Sequence, residues 1–258
     1  MISSNRIRQL EYYEELYKLR RSFRSLEAIR HQAAIENFYD FSQTYNKRVL
    51  EIGFGSGQLL VRIAGKGGRC TGMEISRNAI LSFKKRFSQG VNLVLGALPN
   101  LPFRSIKFDL VVVSHVLEHV QDDRKSFKEI SRVLKPGGRF ILYVPTGFAD
   151  HPLHLRDYPK GRIMEFCESY GLTVRKVSQE CSFLLKSLTE LRKKIEVVLR
   201  QQIEKPSRKN TRTKSLSGRF CLPFLQLVLV LSKIDSLVAK VTNSTNESLY
   251  LIEKVGVT

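Results

Sequence analysis

The sequence predicts an α/β fold built on a mostly parallel sheet. Short apolar segments rich in β-branched residues alternate with stretches of helical periodicity, a pattern typical of parallel strands joined by helices. The most apolar segment, residues 108–114, suits a central strand that is covered on both faces. A second clear strand, residues 49–52, runs directly into a glycine-rich turn that is followed by helical spacing.

This turn carries glycine at every second position, at Gly53, Gly55 and Gly57. Glycine allows backbone to approach a ligand closely, and a helix that opens after such a turn directs free N–H groups towards it. A dinucleotide fingerprint needs two residues between its last glycines, whereas only Ser56 stands here. Glu51 lies at the entrance of the turn, where it would repel a pyrophosphate but suit a ligand with an ammonium group. Tight strand–helix packing is the alternative reason for these glycines.

The second strand, residues 69–75, ends in another acid, Glu74, some twenty residues beyond the turn. In nucleotide-binding α/β folds an acid at this distance accepts hydrogen bonds from ribose hydroxyls. The remaining elements are predicted as helices at 58–64, 77–87 (capped by Ser76), 123–134 and 160–170, and strands at 92–96, 108–114, 139–144, 172–179 and 248–254. Residues 1–45 are predicted to form an N-terminal helical cap on a main domain of residues 46–258.

The glycine turn with Glu51 resembles motif I of the class I S-adenosylmethionine-dependent methyltransferases. The run from residue 108 to 144 resembles the type-11 methyltransferase group, through Leu117-Glu118-His119 and the Leu-Lys-Pro-Gly-Gly sequence at 134–138. The resemblance covers residues 48–145. It implies a Rossmann-like, seven-stranded, mostly parallel sheet with an antiparallel last strand and helices on both faces. Residues 182–245 would then form a helical insertion before the last strand.

The resemblance also implies S-adenosyl-L-methionine as cofactor. Glu51 would hold the methionine ammonium group, the glycine backbone would pass beneath methionine and ribose, and Glu74 would bind the ribose. Family members commonly carry an acid at the position of Ala97 to bind the adenine amino group, so recognition here would fall to backbone or to Asn100. The implied cofactor residues are Glu51, Gly53, Gly55, Gly57, Glu74, Ile75, Ala97, Leu98 and Ser114.

Methyl transfer from a sulfonium needs no metal, and the four cysteines show no zinc-binding spacing, so no metal ligand is predicted. An oxygen acceptor must lose a proton, and histidine titrates in the suitable range. The candidate bases are His115, His119, His151 and His154. Each of them could instead fix a loop or bind substrate. Arg156 and Tyr158 are candidates for binding an anionic or sugar-like acceptor.

The net charge of +19 is concentrated, since residues 183–220 contain 11 Lys and Arg but 3 Asp and Glu. Residues 183–205 are predicted as a basic amphipathic helix, and residues 220–241 as a helix that is apolar at first. The unbroken apolar run is shorter than the ~20 residues that span a bilayer. Residues 183–241 therefore suit an anionic membrane surface, with a helical lid or a nucleic-acid contact as alternatives. The polar N-terminus lacks a signal peptide, which predicts a cytoplasmic protein that is peripheral on the membrane.

These observations predict a methyltransferase for a small or a lipid- or glycan-linked acceptor. Two alternatives stay open. The high positive charge would also suit an RNA or protein methyltransferase, and Ala97 would suit a non-catalytic module that only binds the cofactor. The sequence leaves the acceptor atom and the oligomeric state open.

Overall fold

The computed structural model describes residues 4–19, 26–87, 90–147, 153–180 and 247–256. Its helices are α1 (Ser4–Leu19), α2 (Leu26–Phe38), α3 (Gln58–Gly65), α4 (Arg77–Arg86), α5 (Asp123–Val133) and α6 (Lys160–Ser169). Its strands are β1 (Arg48–Ile52), β2 (Arg69–Glu74), β3 (Val91–Leu95), β4 (Phe108–Ser114), β5 (Leu134–Pro145), β6 (Leu172–Glu180) and β7 (Glu247–Lys254). Two 3₁₀ turns occur at Phe41–Thr44 and Leu117–His119.

The strands form one seven-stranded sheet in the order β3-β2-β1-β4-β5-β7-β6. Strands β1 to β5 pair in parallel, and β7 runs antiparallel between β5 and β6. This confirms the predicted Rossmann-like sheet with its antiparallel last strand. The strand order reverses direction between β1 and β4, and ligands of open α/β sheets bind at the carboxyl ends of the strands beside such a reversal.

Helices cover both faces of the sheet. On one face, α5 and α6 bury residues such as Phe127 and Phe166. On the other, α2, α3 and α4 contribute residues such as Ile35, Leu60 and Phe83 to a second apolar cluster. Each layer therefore removes one side of the central strands from water, which explains why β4 is apolar at nearly every position.

Strand β5 begins five residues before the predicted start at Arg139. The prediction was wrong because the Lys-Pro-Gly-Gly sequence was taken only as a helix stop. In the structure, Leu134 already pairs with Phe108, and the next regular pair joins Arg139 to Leu110. Residues 135–138 are accommodated by an irregularity between these pairs, and Lys135 there forms a 2.7 Å ion pair with Asp109.

Helix α1 is attached to the amino-terminal end of α4. The carboxylate of Glu14 accepts hydrogen bonds from the backbone N–H groups of Arg77 (2.6 Å) and Asn78 (3.2 Å). The Asn78 side chain donates in return to the Glu14 carbonyl (3.2 Å). Glu14 therefore satisfies helix N–H groups that have no partner within α4. This attachment places α1 beside the carboxyl ends of the parallel strands.

The predicted insertion at 182–245, with its membrane-facing segment 183–241, lies outside the described residues. The division into a 1–45 cap and a 46–258 domain stays a prediction, although α2 contributes directly to the core. In the part of the chain that the structure describes, no helix combines the length and apolar character needed to cross a membrane.

Candidate active site

A cleft of about 500 Å³ lies at the carboxyl ends of β1, β2 and β4 and is covered on one side by α1. The glycine turn, the ends of β2, β3 and β4, and the segment after β4 supply most of its walls. Its lining residues are Gln9, Tyr13, Tyr17, Ile52, Gly53, Glu74, Ile75, Gly96, Ala97, Leu98, Pro99, Asn100, Ser114, His115, Val116, His119, Val120, Gln121, Asp122 and Leu155.

The first glycine of the turn is required by its surroundings. Gly53 has φ of 71°, a left-handed conformation, and its N–H donates to the Met73 carbonyl at 2.8 Å. A Cβ atom at this position would lie 2.4 Å from Cγ2 of Val116. At Gly55, with φ of 53°, a Cβ would lie 2.7 Å from the Tyr17 hydroxyl of α1. The turn is therefore tightly enclosed, and any side chain there would displace a wall of the cleft.

The carboxylate of Glu74 is fixed by backbone N–H groups. Its Oε2 accepts from Gly55 (2.9 Å), and its Oε1 accepts from Ile75 (2.9 Å) and Ser76 (3.1 Å). A carboxylate offers about four acceptor sites, so Oε2 retains one that can accept from a ligand hydroxyl. Burial raises the pKa of Glu74 above its usual value, although the three hydrogen bonds act in the opposite direction.

Glu51 is buried to the same extent as Glu74, each with 5% of its surface exposed. Burial, reinforced by the nearby charge of Glu74, raises its pKa to about 8, and a hydrogen bond from the Leu60 backbone only partly offsets this. Within the described residues, its Oε2 has no hydrogen-bond partner. A buried polar atom without a partner is costly, so this carboxyl is suited to meet a further donor such as an ammonium group.

His115 follows β4 in a left-handed conformation, with φ of 51°. Its Nδ1 lies 3.1 Å from Oε1 of Glu118, which is fully buried. The carboxylate only accepts, so Nδ1 carries the hydrogen and, in the neutral ring, Nε2 carries the lone pair. Nε2 of His115 is buried and has no partner among the described residues. An imidazole oriented in this way by a carboxylate is equipped to accept a proton.

A second group of charged side chains supports His115 from behind. The His31 ring of α2 stacks on it with centroids 3.7 Å apart. Arg30 donates to both carboxylate oxygens of Glu247 at 2.5 and 2.6 Å, and the Tyr143 hydroxyl donates to the same carboxylate at 2.7 Å. Burial, followed by the electrostatic influence of the His115 ring and the positive charge of Arg30, lowers the pKa of His31 to about 3, so His31 is neutral.

Comparison with known proteins identifies the kind of domain. Residues 50–142 match the model of a methyltransferase-domain family. Residues 50–142 therefore belong to a class I S-adenosylmethionine-dependent methyltransferase domain.

Named relatives of this methyltransferase domain act on different acceptors. The chain is 28% identical over 145 residues to a norajmaline N-methyltransferase of Rauvolfia serpentina. This alignment covers 53% of this chain and 50% of the relative. It is 34% identical over 96 residues to a demethylmenaquinone methyltransferase of Corynebacterium glutamicum, covering 37% and 40%. The chain thus spans half or less of the length of these curated relatives.

A solved structure shares the fold of the methyltransferase domain. It is phosphoethanolamine N-methyltransferase 2 of Haemonchus contortus in complex with S-adenosyl-L-methionine. The TM-score is 0.56 with 19% identity, over 94% of this chain and 60% of that chain. At this identity the similarity concerns the fold alone.

The structure brings most of the predicted site residues to the cleft of the methyltransferase domain. The residues that line it are Gly53, Glu74, Ile75, Ala97, Leu98, Ser114, His115 and His119, and Asn100 joins them. Glu51, Gly55 and Gly57 are not lining residues, although Gly55 donates to Glu74, which lines the cleft. The ring of His154 lies 4.9 Å from that of His119. His151 lies outside the described residues.

The structure contradicts the predicted acceptor contact of Tyr158, while that of Arg156 stays a prediction. Tyr158 is fully buried, and its hydroxyl lies within hydrogen-bond distance of two acceptors, the Leu117 carbonyl (3.0 Å) and an Asp123 carboxylate oxygen (3.1 Å). Arg156 forms an ion pair with the same Asp123 at 2.9 Å and donates to the Gln121 carbonyl. Both side chains therefore fasten the segment before α6 to the start of α5.

Sequence reasoning predicted an N-terminal helical cap but missed which of its residues line the methyltransferase cleft. Gln9, Tyr13 and Tyr17 line it, and Gln9 Nε2 donates to the His119 carbonyl. The helical spacing of Tyr13 and Tyr17 predicted a packed helix face, but not the surface on which that face packs. Glu118 was also missed, because its role depends on the distance to His115 rather than on its place in the chain.

Proposed function

We propose that the protein is an S-adenosylmethionine-dependent methyltransferase that acts on a small-molecule acceptor. The observation that carries this proposal is the cleft in which the glycine turn, Glu74 and His115 meet at the carboxyl ends of the central strands. One wall supplies groups suited to a charged, sugar-containing cofactor, and the other supplies an oriented imidazole. The match of residues 50–142 to the methyltransferase-domain family supports it.

The residues present fit the cofactor. Oε2 of Glu51 is buried without a partner among the described residues, and Oε2 of Glu74 retains an acceptor site. In this proposal Glu51 serves the ammonium group, Glu74 accepts from a ribose hydroxyl, and the backbone and side chains of residues 97–100 contact the adenine. When bound, S-adenosyl-L-methionine supplies a methyl group on a positively charged sulfur. Holding donor and acceptor together in line can lower the activation barrier by ~7–11 kcal/mol.

His115 is the proposed base for an acceptor that must lose a proton. Its Nε2 takes the proton, and the Glu118 carboxylate stabilises the resulting imidazolium through Nδ1. Exchange of His115 for Asn should lower kcat about 10²–10⁴-fold while leaving cofactor affinity within a few-fold. Loss of the pH dependence of kcat in this variant supports the role. Unchanged kcat would exclude His115 as the base.

A small acceptor is favoured by the position of α1, whose residues Gln9, Tyr13 and Tyr17 form part of the cleft wall. Because Glu14 attaches α1 to the start of α4, this helix lies over one side of the cleft and narrows its opening. The named relatives include an alkaloid and a quinone methyltransferase. We propose that the acceptors also include small groups linked to a lipid or a glycan, which would reach the cleft at a membrane surface.

Calorimetry with S-adenosyl-L-methionine tests the cofactor assignment. The protein should bind one equivalent, and Gly55→Arg should abolish binding because a side chain there meets the Tyr17 hydroxyl and the turn beside Glu74. The matched control is Gly171→Arg, at a glycine with similar φ of 64° and no atom within 4 Å of a built Cβ. Absence of binding by the unaltered protein, or equal binding by both variants, would refute the assignment.

The basic composition of residues 183–220 supports a further proposal, that the protein acts at the cytoplasmic face of a membrane. Each Lys or Arg near an anionic surface contributes about 1 kcal/mol. The protein should sediment with phosphatidylserine-containing vesicles and not with phosphatidylcholine vesicles, and salt should release it. Binding to RNA with a steep salt dependence and no retention on either vesicle would instead favour the RNA methyltransferase alternative.

A further inference from the structure

Three potential metal ligands meet beside the acceptor end of the cleft. Glu118, His119 and His154 each offer one ligand atom, and these atoms lie within 4.8 Å of one another. Bonds of about 2.0–2.2 Å to one ion place its ligand atoms about 3–4.4 Å apart, so side-chain shifts of an ångström or less would complete the site. The sequence predicted no metal ligands, because His154 stands 35 residues beyond His119 and no short motif joins them.

Glu118 is a buried carboxylate without a lysine or arginine partner among the described residues. Its side chain is fully buried, and Oε2 has no partner among the described residues. Within the described ranges, the only basic side chain that contacts it is the His115 ring, and no lysine or arginine forms an ion pair with it. Buried carboxylates are normally paired with a full charge or bound to a metal.

The two imidazoles are held in place by backbone groups. His119 Nδ1 lies 3.0 Å from the Leu153 carbonyl, which only accepts, so Nδ1 carries the hydrogen and Nε2 is the ligand atom. Such a second hydrogen bond is the usual support of a metal-binding histidine. The Leu155 N–H donates to the Glu118 carbonyl at 2.8 Å, which fastens the segment that carries His154 against the 3₁₀ turn.

A neighbouring cluster of similar composition is unsuited to a metal. His31, His115 and Glu247 also offer ligand atoms within 4.8 Å of one another. There, however, Arg30 donates to both Glu247 oxygens, and its Nη2 lies 2.7 Å from His31 Nε2. The guanidinium already supplies the positive charge that a metal ion would bring, and it occupies the ligand atoms. This cluster therefore provides an internal control.

We propose that Glu118, His119 and His154 bind a divalent transition-metal ion at the edge of the cleft. Two imidazoles and one carboxylate suit ions such as Zn²⁺ or Mn²⁺, with further coordination positions open to water or to an acceptor oxygen. Because His119 and Leu155 line the cleft, the ion would adjoin the space assigned to the acceptor. It would select acceptors with hydroxyl groups that can coordinate it. Only this last role rests on the proposed function, since the binding itself needs neither cofactor nor acceptor.

The test uses the full chain, purified without a histidine tag and stripped with a chelator. Titration with Zn²⁺ and Mn²⁺ by calorimetry, and with Co²⁺ by its visible absorption, should show one saturable site. Glu118→Gln and His154→Asn should each weaken binding more than about 100-fold, since even supporting residues of a metal site contribute 10–100-fold. His31→Asn is the matched control and should leave metal affinity unchanged.

Circular dichroism and calorimetry with S-adenosyl-L-methionine on the same samples separate folding and the proposed function from metal binding. Retained cofactor binding with no saturable metal site would overturn the metal inference alone. Equal metal affinity in the unaltered protein and in both ligand variants would also overturn it, as would loss of the metal in His31→Asn but not in Glu118→Gln. Lost cofactor binding in the unaltered protein would count against the proposed function instead.

Discussion

Relative to the unaltered protein, the Glu51→Gln variant should become progressively more stable as the pH rises. The carboxyl has a pKa of about 8 when folded and 4.5 as its ordinary value, and burial is the main cause. The folded state therefore holds this proton more tightly than the unfolded chain does. The stability that this group contributes is fully present below pH 4.5 and is lost as the pH rises through 8.

The size of the effect follows from the two pKa values. The free energy of unfolding should fall, through this group, by about 2.5 kcal/mol between pH 5 and 7, and by about 1.4 kcal/mol more by pH 9. The glutamine side chain of the variant does not titrate, and the cost of burying its amide is the same at every pH. The difference in stability between variant and unaltered protein should therefore grow by these amounts, whatever its value at pH 5.

Urea unfolding of both proteins at pH 5, 7 and 9 measures this difference. Glu165→Gln is the control, because that exposed carboxylate pairs with Arg124 at the surface, where such pairs contribute at most ~1 kcal/mol. The stability difference between Glu165→Gln and the unaltered protein should therefore change by no more than ~1 kcal/mol over this range. A Glu51→Gln difference that changes equally little would show that the carboxyl is already ionised at neutral pH, and the reasoning from its burial would fail.

The same carboxyl links stability to cofactor binding. An ammonium group placed against Glu51 favours its ionised form, so binding near pH 7 should release up to one proton. Calorimetry in two buffers with different ionisation enthalpies would detect that release, which should vanish in Glu51→Gln together with much of the affinity. Buffer-independent binding enthalpy in the unaltered protein would contradict a direct role of Glu51 with the ammonium group.

Three other substitutions test the structure around the site by urea unfolding. Gly53→Ala should lower the free energy of unfolding by at least ~1 kcal/mol more than Gly171→Ala does. Both glycines have positive φ, but only a Cβ at position 53 would collide with a valine side chain. Equal losses of stability would contradict this collision. Arg30→Met should lower the free energy of unfolding by about 3–5 kcal/mol, because it leaves the buried carboxylate of Glu247 without its arginine. Arg175→Met, which removes an exposed ion pair, should lower it by ~1 kcal/mol or less. Glu14→Ala should cost about 0.5–2 kcal/mol through lost capping of α4 and should speed proteolysis within α1; unchanged cleavage would show that other contacts hold the helix.

Local patterns in the sequence were sufficient for the parallel strands and the glycine turn, whereas the antiparallel last strand was implied by the family resemblance. The apolar run of β4 and the strand–turn–helix sequence around Gly53 depend on residues that are neighbours in the chain, and such patterns are readable without the fold. The start of β5 was not readable in this way. Its first pair, between Leu134 and Phe108, is made across the sheet, while the local Lys-Pro-Gly-Gly sequence indicates only an ending.

The chemistry of the site depends still more on contacts between distant residues. Arg30 and Glu247 stand 217 positions apart, yet their ion pair joins α2 to the antiparallel strand directly behind the stacked rings of His31 and His115. Neither partner carries a local signal, because an arginine in a helix and a glutamate at a strand end are ordinarily exposed. Their burial follows from the insertion of β7 between β5 and β6, which pairs Glu247 with Pro145 one strand in from the edge of the sheet. The stacking of His31 on His115 and the ion pair behind it therefore depend on the assembled sheet, whereas the contact of His115 with Glu118 lies within one short motif.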